Sequence, residues 1–291
     1  LFIFSIFFLI SKIEFFYYLT IFFIGFLSDI KILKSAKVRF FLQGVIIFFL
    51  VINFNLHLND VRVPFLNYLL EFKFFSYIFF AFCLLIVTNG TNFIDGLNGL
   101  VIGYYLIILT IIFNLDIIHD FLDIKVELLN YIILLIYLFL FNLFNKLYLG
   151  DSGSYLIGAT IGSLLIYIYN EINFISPFFI VLLLWYPCFE NLFSILRKLN
   201  REFSPLKPDS KHLHQLVFFF LSKKYNLKLI LSNNLSSTII CFFNFLIIYT
   251  SSINPTSTIF QIKLITISII FYNVSYMLLF KFYKLNLKSK K

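Results

Sequence analysis

The sequence predicts an all-α, polytopic integral membrane protein of about ten transmembrane helices, with its chemistry gathered at one membrane face. The first reason is composition. Of 291 residues, 61% are hydrophobic and 13% charged, against about 25% charged in an ordinary soluble domain, so most of this chain has nothing with which to cover a surface in water. The second is the spacing of the charges. Residues 40–56, 74–94, 96–115, 128–145, 152–170, 172–189, 229–262 and 264–280 contain no Asp, Glu, Lys or Arg, and most of these runs match the roughly 17–25 residues that cross a bilayer as helix. The third is the absence of an alternating polar pattern, which leaves helices as the way to satisfy the backbone in lipid.

The elements follow in order, and the whole chain, 1–291, reads as a single transmembrane domain. Residues 1–11 and 15–28 are short apolar runs; Leu1 opens directly into the first of them, which reads as an N-terminal truncation. A signal peptide would need a basic start and a small-residue cleavage site, and neither is present. A basic loop with Lys31, Lys34, Lys37 and Arg39 leads to runs 40–56 and 74–94, and the polar stretch NGTNFIDGLNGL at 89–100 interrupts the apolar sequence. Run 96–115 ends in a segment carrying Asp116, Asp120, Asp123 and Glu127 against Lys125 alone; run 128–145 ends in LGDSGS at 149–154. Two more runs reach the basic stretch 191–228 with PDSKHLH at 208–214, and the last two lead to a tail of lysines.

By the positive-inside rule the basic loops and tail are cytoplasmic and the acidic segment 115–127 is outside. From Asp29, each successive polar cluster lies two crossings further on, so all four share the cytoplasmic boundary. The net charge of +9 is accounted for by these loops, with no basic face for a nucleic acid. Cys83, Cys188 and Cys241 sit in or beside apolar runs with no pairing pattern.

Ionisable residues at membrane depth cost several kcal/mol and mark function. Asp29, Asp95 and Asp151 each stand where an apolar helix ends, with glycine nearby; the bland alternative for each is a helix cap at the interface. Carboxylates with asparagine oxygens suit magnesium, or manganese, completed by water and phosphate, and no cysteine in the clusters points to zinc. Lys and His side chains beside such a site suit a diphosphate. His212 and His214 share a side only in an extended loop, where solvated histidines are the alternative reading.

Taken together, GFLSDIKILKSAKVRFFLQ at 25–43, NGTNFIDGLNGL, LGDSGS and PDSKHLH resemble, in order and spacing, the polyprenyl-phosphate N-acetylhexosamine-1-phosphate transferases, polytopic enzymes that move a sugar-1-phosphate from a UDP-sugar to a lipid phosphate and release UMP. The form of PDSKHLH is closer to the GlcNAc-1-phosphate branch, which serves O-antigen, enterobacterial common antigen or teichoic acid, than to the peptidoglycan branch. The resemblance implies that Asp151 and Asn92 hold magnesium. It implies that Asp29 and Asp95 are the catalytic acids, and that Asn89, Asn98, Lys37, Arg39, Arg197, His212 and His214 bind substrate. It further implies undecaprenyl phosphate and a UDP-N-acetylhexosamine as substrates, a place in the bacterial inner membrane, and an active site facing the cytoplasm; a homodimer is left open. Three positions depart from the family pattern: Ser28 stands for the first Asp of a pair, Asn98 for an acid, and Gln215 for a further histidine. The usual Pro-Arg-x-Gly-Gly loop is missing, in keeping with a lost N-terminus. An inactive or truncated member is one alternative. A secondary transporter is another, but it would carry its acids near the midplane of internal repeats, which the sequence does not display.

Overall fold

The computed structural model describes residues 12–57, 60–172, 174–199 and 211–288. Run 1–11 lies outside these residues, as do Pro208, Asp209 and Ser210 of the histidine motif and Arg201 and Lys207 of the basic stretch.

Every described element is helical: α1 Lys12–Asp29, α2 Ala36–Asn53, α3 Pro64–Leu70, α4 Lys73–Ile94, α5 Leu100–Phe113, a 3-10 turn Asp116–Asp120, α6 Leu122–Leu143, α7 Gly150–Glu171, α8 Pro177–Leu183, α9 Trp185–Leu199, α10 Leu213–Lys224, α11 Leu229–Ser252 and α12 Thr258–Lys288. Short polar residues set the starts. Ser35 accepts the Val38 amide at 3.5 Å and Ser176 the Phe178 amide at 3.2 Å, each relieving one of the unpaired donors of a helix N-terminus. Pro64 and Pro177 occupy the first turns of α3 and α8, where a missing N–H costs nothing.

Among the described residues, six helices are long and apolar enough to cross a membrane, and seven if the bent pair α8–α9 is one span. The sequence expectation of about ten is not reached among the described residues, for identifiable reasons. Run 172–189 is broken: α8 and α9 meet at 70°, and α9 continues past the run to carry Glu190, Arg197 and Lys198. Runs 229–262 and 264–280 remain two helices, α11 and α12, with the break shifted to Pro255. α5 has 14 residues, about 21 Å of helix, short of the roughly 30 Å hydrocarbon core. α1 brings Lys12, Glu14 and Asp29 with its apolar middle.

The centre of the bundle is α7, of which 83% of the apolar window is buried. It packs against α1 on one side and α4 on the other. Its residues join both hydrophobic clusters: Ile157, Ile161 and Leu165 pack with α5, α6 and α8, while Tyr155, Leu156 and Ala159 pack with α1, α2 and α4. Large apolar side chains such as Phe65, Phe74, Ile133, Phe242 and Ile259 remain exposed on the outside, the arrangement of a surface that meets lipid.

Candidate functional site

The N-terminus of α7 organises the site. Gly25 on α1 lies so close to α7 that a Cβ would sit 2.4 Å from the Ser152 Cα, and this contact brings the end of α1 over the first turn of α7. Asp29 then caps that turn from another helix. Its Oδ1 accepts the Asp151 amide at 2.8 Å, and its Oδ2 accepts the Ser152 amide at 3.1 Å and the Ser152 hydroxyl at 2.8 Å. A negative charge at a helix N-terminus is favourable both through hydrogen bonding and through the helix dipole. Gly150 begins the turn at φ +62, with the Asp29 carboxylate lying 2.8 Å from where a Cβ would be, so any other residue there would meet both strain and a clash.

Asp151 is held from three directions. Its Oδ2 accepts the Ser28 hydroxyl at 2.6 Å and the Arg39 guanidinium at 2.8 Å; its Oδ1 accepts the Asn92 amide at 2.8 Å. Asn92 also donates to Ser154 Oγ at 2.9 Å. Asp151 and Arg39 keep 26% and 21% of their side-chain surface exposed, so this ion pair is reachable by a ligand. One turn earlier on α4, Asn89 donates to the buried Gln43 at 3.0 Å, while Lys37 stands exposed in the first turn of α2. A carboxylate at position 28 would face Asp151 directly; the serine replaces that repulsion with a donor.

Asp95 follows the last residue of α4 and is partly buried. Burial first, then the negative charges of Asp151 and Asp29, push its carboxyl up to about 7. Asn98 is used differently: its backbone amide donates to Asn233 Oδ1 at 2.7 Å and its side chain to Asn145, tying the α4–α5 connection to the α6–α7 connection and to α11.

The histidines approach from α10. The His212 ring lies 5.4 Å from that of Phe93, the neighbour of Asn92, and stacks on His214 at 5.6 Å. His214 is buried against Gly96, and burial is the main cause holding its imidazole down to about 4. His212 Nδ1 bonds Glu190 Oε1 at 2.9 Å. Arg197 does not reach the Asp151 group: its guanidinium bonds the Lys211 carbonyl and the Tyr276 hydroxyl and lies over the Tyr276 ring at 5.4 Å. The structure therefore brings Asp29, Arg39, Asn92 and Asp151 into one hydrogen-bonded group with Asn89, Asp95 and the histidine pair beside it, and sets Asn98 and Arg197 to work as ties between elements. Ser28, Gln43, Glu190 and Tyr272 are further members. Of these, Glu190 carried a readable signal, a lone acid at the end of an apolar run.

Among the described residues no group of three or more His, Cys, Asp or Glu side chains forms a ready-made metal cage. Asp151 offers one carboxylate, and the Asn92 amide, turned over, offers an oxygen beside it. Hard oxygen donors, few in number, with room for water and phosphate, fit a magnesium-type cation held together with its substrate.

Comparison with known proteins identifies the family. Residues 13–169 match the model of glycosyl transferase family 4. A probable undecaprenyl-phosphate N-acetylglucosaminyl 1-phosphate transferase of Bacillus subtilis is 31% identical over 215 residues, 71% of this chain and 58% of that protein. A phospho-N-acetylmuramoyl-pentapeptide-transferase of Listeria monocytogenes is 30% identical over 158 residues, 51% of this chain and 49% of that protein. An undecaprenyl-phosphate alpha-N-acetylglucosaminyl 1-phosphate transferase of Escherichia coli O157:H7 is 26% identical over 201 residues, 67% of this chain and 54% of that protein. The chain thus spans between about half and three-fifths of the length of these relatives.

Proposed function

Because the chain belongs to glycosyl transferase family 4, we propose that it transfers an N-acetylhexosamine-1-phosphate, GlcNAc-1-phosphate foremost, from a UDP-sugar to undecaprenyl phosphate at the cytoplasmic face of the bacterial plasma membrane. UMP is released, and the lipid-linked sugar begins a cell-surface polysaccharide. The observation that carries the reading is the junction at the start of α7, where Arg39 and Asn92 each hydrogen-bond the Asp151 carboxylate, at a boundary where a lipid-borne phosphate and a soluble nucleotide can meet.

Phosphoryl transfer asks for positioning and charge neutralisation more than for covalent chemistry. An oxygen of the lipid phosphate attacks the β-phosphorus, the bond from that phosphorus to the bridging oxygen breaks, and UMP leaves with the electron pair. The second pKa of a phosphate monoester is about 6, so the attacking oxygen is largely ionised at neutral pH, and Asp95 takes the remaining proton. Asp151 and Asn92 would hold a magnesium-type cation, which would supply neutralisation of diphosphate charge. Arg39, exchanged from Asp151 onto phosphate, and Lys37 supply positive charge from the chain itself; Asn89 and the histidine pair orient the donor. Asp29 is assigned as a positioning residue. Three donors already occupy its two oxygens, which makes it a poor nucleophile and favours direct attack in one step.

The test is UMP release by the purified full-length protein in lipid vesicles. Release is expected when a UDP-N-acetylhexosamine, undecaprenyl phosphate and magnesium are all present, and background release when any one is left out. A panel of donors sorts the sugar. UDP-GlcNAc is expected to lead, and turnover confined to UDP-MurNAc-pentapeptide would move the protein to the activity named for its Listeria relative.

A further inference from the structure

Glu190 is a fully buried acid on α9, and three donors from two other elements converge on it. His212 Nδ1 lies 2.9 Å from Oε1, which also accepts the Leu213 amide at 3.4 Å, and Oε2 accepts the Tyr272 hydroxyl of α12 at 2.8 Å; an ionised carboxylate can only accept, which makes Nδ1 the donor. This is the pattern of an acceptor-only carboxylate whose lone pairs are satisfied, and it joins the start of α10 to α9 and α12. We propose that Glu190 is a positioning residue for the transfer: it fixes His212 in one tautomer and one ring plane, with Nδ1–H on the carboxylate and Nε2 left for the diphosphate.

The logic is that of the carboxylate behind a ligand histidine, where the hydrogen bond on one ring nitrogen determines what the other can do. The His212 backbone is fixed as well, since its amide donates to Gln215 Oε1 at 3.1 Å. With ring and backbone both held, His212 lies against Phe93, next to Asn92. This inference rests on the proposed transfer for its catalytic consequence, but the tautomer can be read without turnover.

The experiment has two arms. The protein contains four histidines, so 15N NMR of histidine-labelled full-length protein in micelles, with His212→Gln to identify the signal, reports which His212 nitrogen carries the proton near pH 8. Nδ1–H with a bare Nε2 is expected; the opposite tautomer overturns the proposal whether or not the protein turns over. The kinetic arm compares Glu190→Gln, His212→Gln and the double variant. Glu190→Gln is expected to lower kcat about 10- to 100-fold, the usual effect of removing such a supporting carboxylate, with KM for undecaprenyl phosphate and Tm little changed. In the His212→Gln background it is expected to cost less than about twofold more, because paired residues are not additive. Multiplying losses would assign Glu190 a general structural role and overturn the proposal. If Glu190→Gln fails to fold, Tyr272→Phe removes one donor from the same carboxylate and takes its place in the cycle. A wild-type protein inert toward every UDP-sugar would defeat the proposed function, while the NMR arm would still decide the Glu190 assignment.

Discussion

The two ends of α7, about 33 Å apart for a 22-residue helix, are built on opposite principles. At its N-terminus the acceptors are side-chain carboxylates: Asp29 takes the helix amides, and Asp151 takes Ser28, Arg39 and Asn92. At its C-terminal end a single cation, Arg62, is tied to backbone. Its guanidinium donates to the carbonyls of Thr256 at 2.6 Å and Phe174 at 3.1 Å and to the Thr258 hydroxyl at 2.9 Å, while Tyr169 on α7 donates to the Asp60 carbonyl at 2.6 Å. Backbone carbonyls stay where the fold puts them, so Arg62 closes three loops together. A carboxylate held by side chains can exchange one donor for another, which is what the proposed binding of a cation and two phosphates demands. The difference separates a brace from the proposed site.

Substitutions at the two ends should therefore divide cleanly between stability and turnover. Asp151→Asn is expected to lower kcat at least about 10²-fold, the scale of losing one major electrostatic stabiliser, with the melting temperature unchanged; near-wild-type turnover would sink the assignment of Asp151. Asn92→Ala, which removes the second oxygen and the bond to Asp151, is expected to cost about 10- to 100-fold and to raise the magnesium concentration giving half-maximal rate. Asp29→Ala should show in both measurements. The lost cap lowers stability by about 1 kcal/mol, and the displaced start of α7 lowers kcat about tenfold, a smaller loss than at Asp151 because Asp29 acts through the helix. Arg62→Ala should leave kcat within about twofold and lower unfolding stability by roughly 1.5–3 kcal/mol, the range for hydrogen bonds to a charged group. A large loss of kcat there would erase the distinction between the two ends.

Much of the site end was legible in the sequence, because an acid, an asparagine or a glycine in so apolar a chain stands out, and counting crossings put the four polar clusters at one boundary. The structure brings Asp29, Asn92, Asp151 and His212 to one end of the bundle. What the sequence left open was the work of each acid. Capping and catalysis both call for an aspartate at a helix end, and the choice for Asp29 depends on Gly25 bringing α1 onto a helix more than a hundred residues away in sequence. Asn98 and Arg197 carried the same polar signal as their neighbours, yet their partners, Asn145, Asn233, Lys211 and Tyr276, come from distant elements that no local pattern names. Glu190 stands alone in the sequence at the end of an apolar run, and nothing local ties it to His212 or Tyr272. The 70° bend between α8 and α9 escaped because hydropathy measures how apolar a run is and carries no information on its direction.

In the proposed reaction the β-phosphorus of a UDP-sugar passes to a lipid phosphate at the start of α7. This transfer is tested most directly by giving the full-length protein, in vesicles with undecaprenyl phosphate and magnesium, UDP-GlcNAc labelled with 32P at the β-position. The label should appear in the lipid fraction, one equivalent for each UMP formed, in the wild type and in Arg62→Ala but hardly at all in Asp151→Asn. Label released as inorganic phosphate, or lipid labelling that survives intact in Asp151→Asn, would contradict the account.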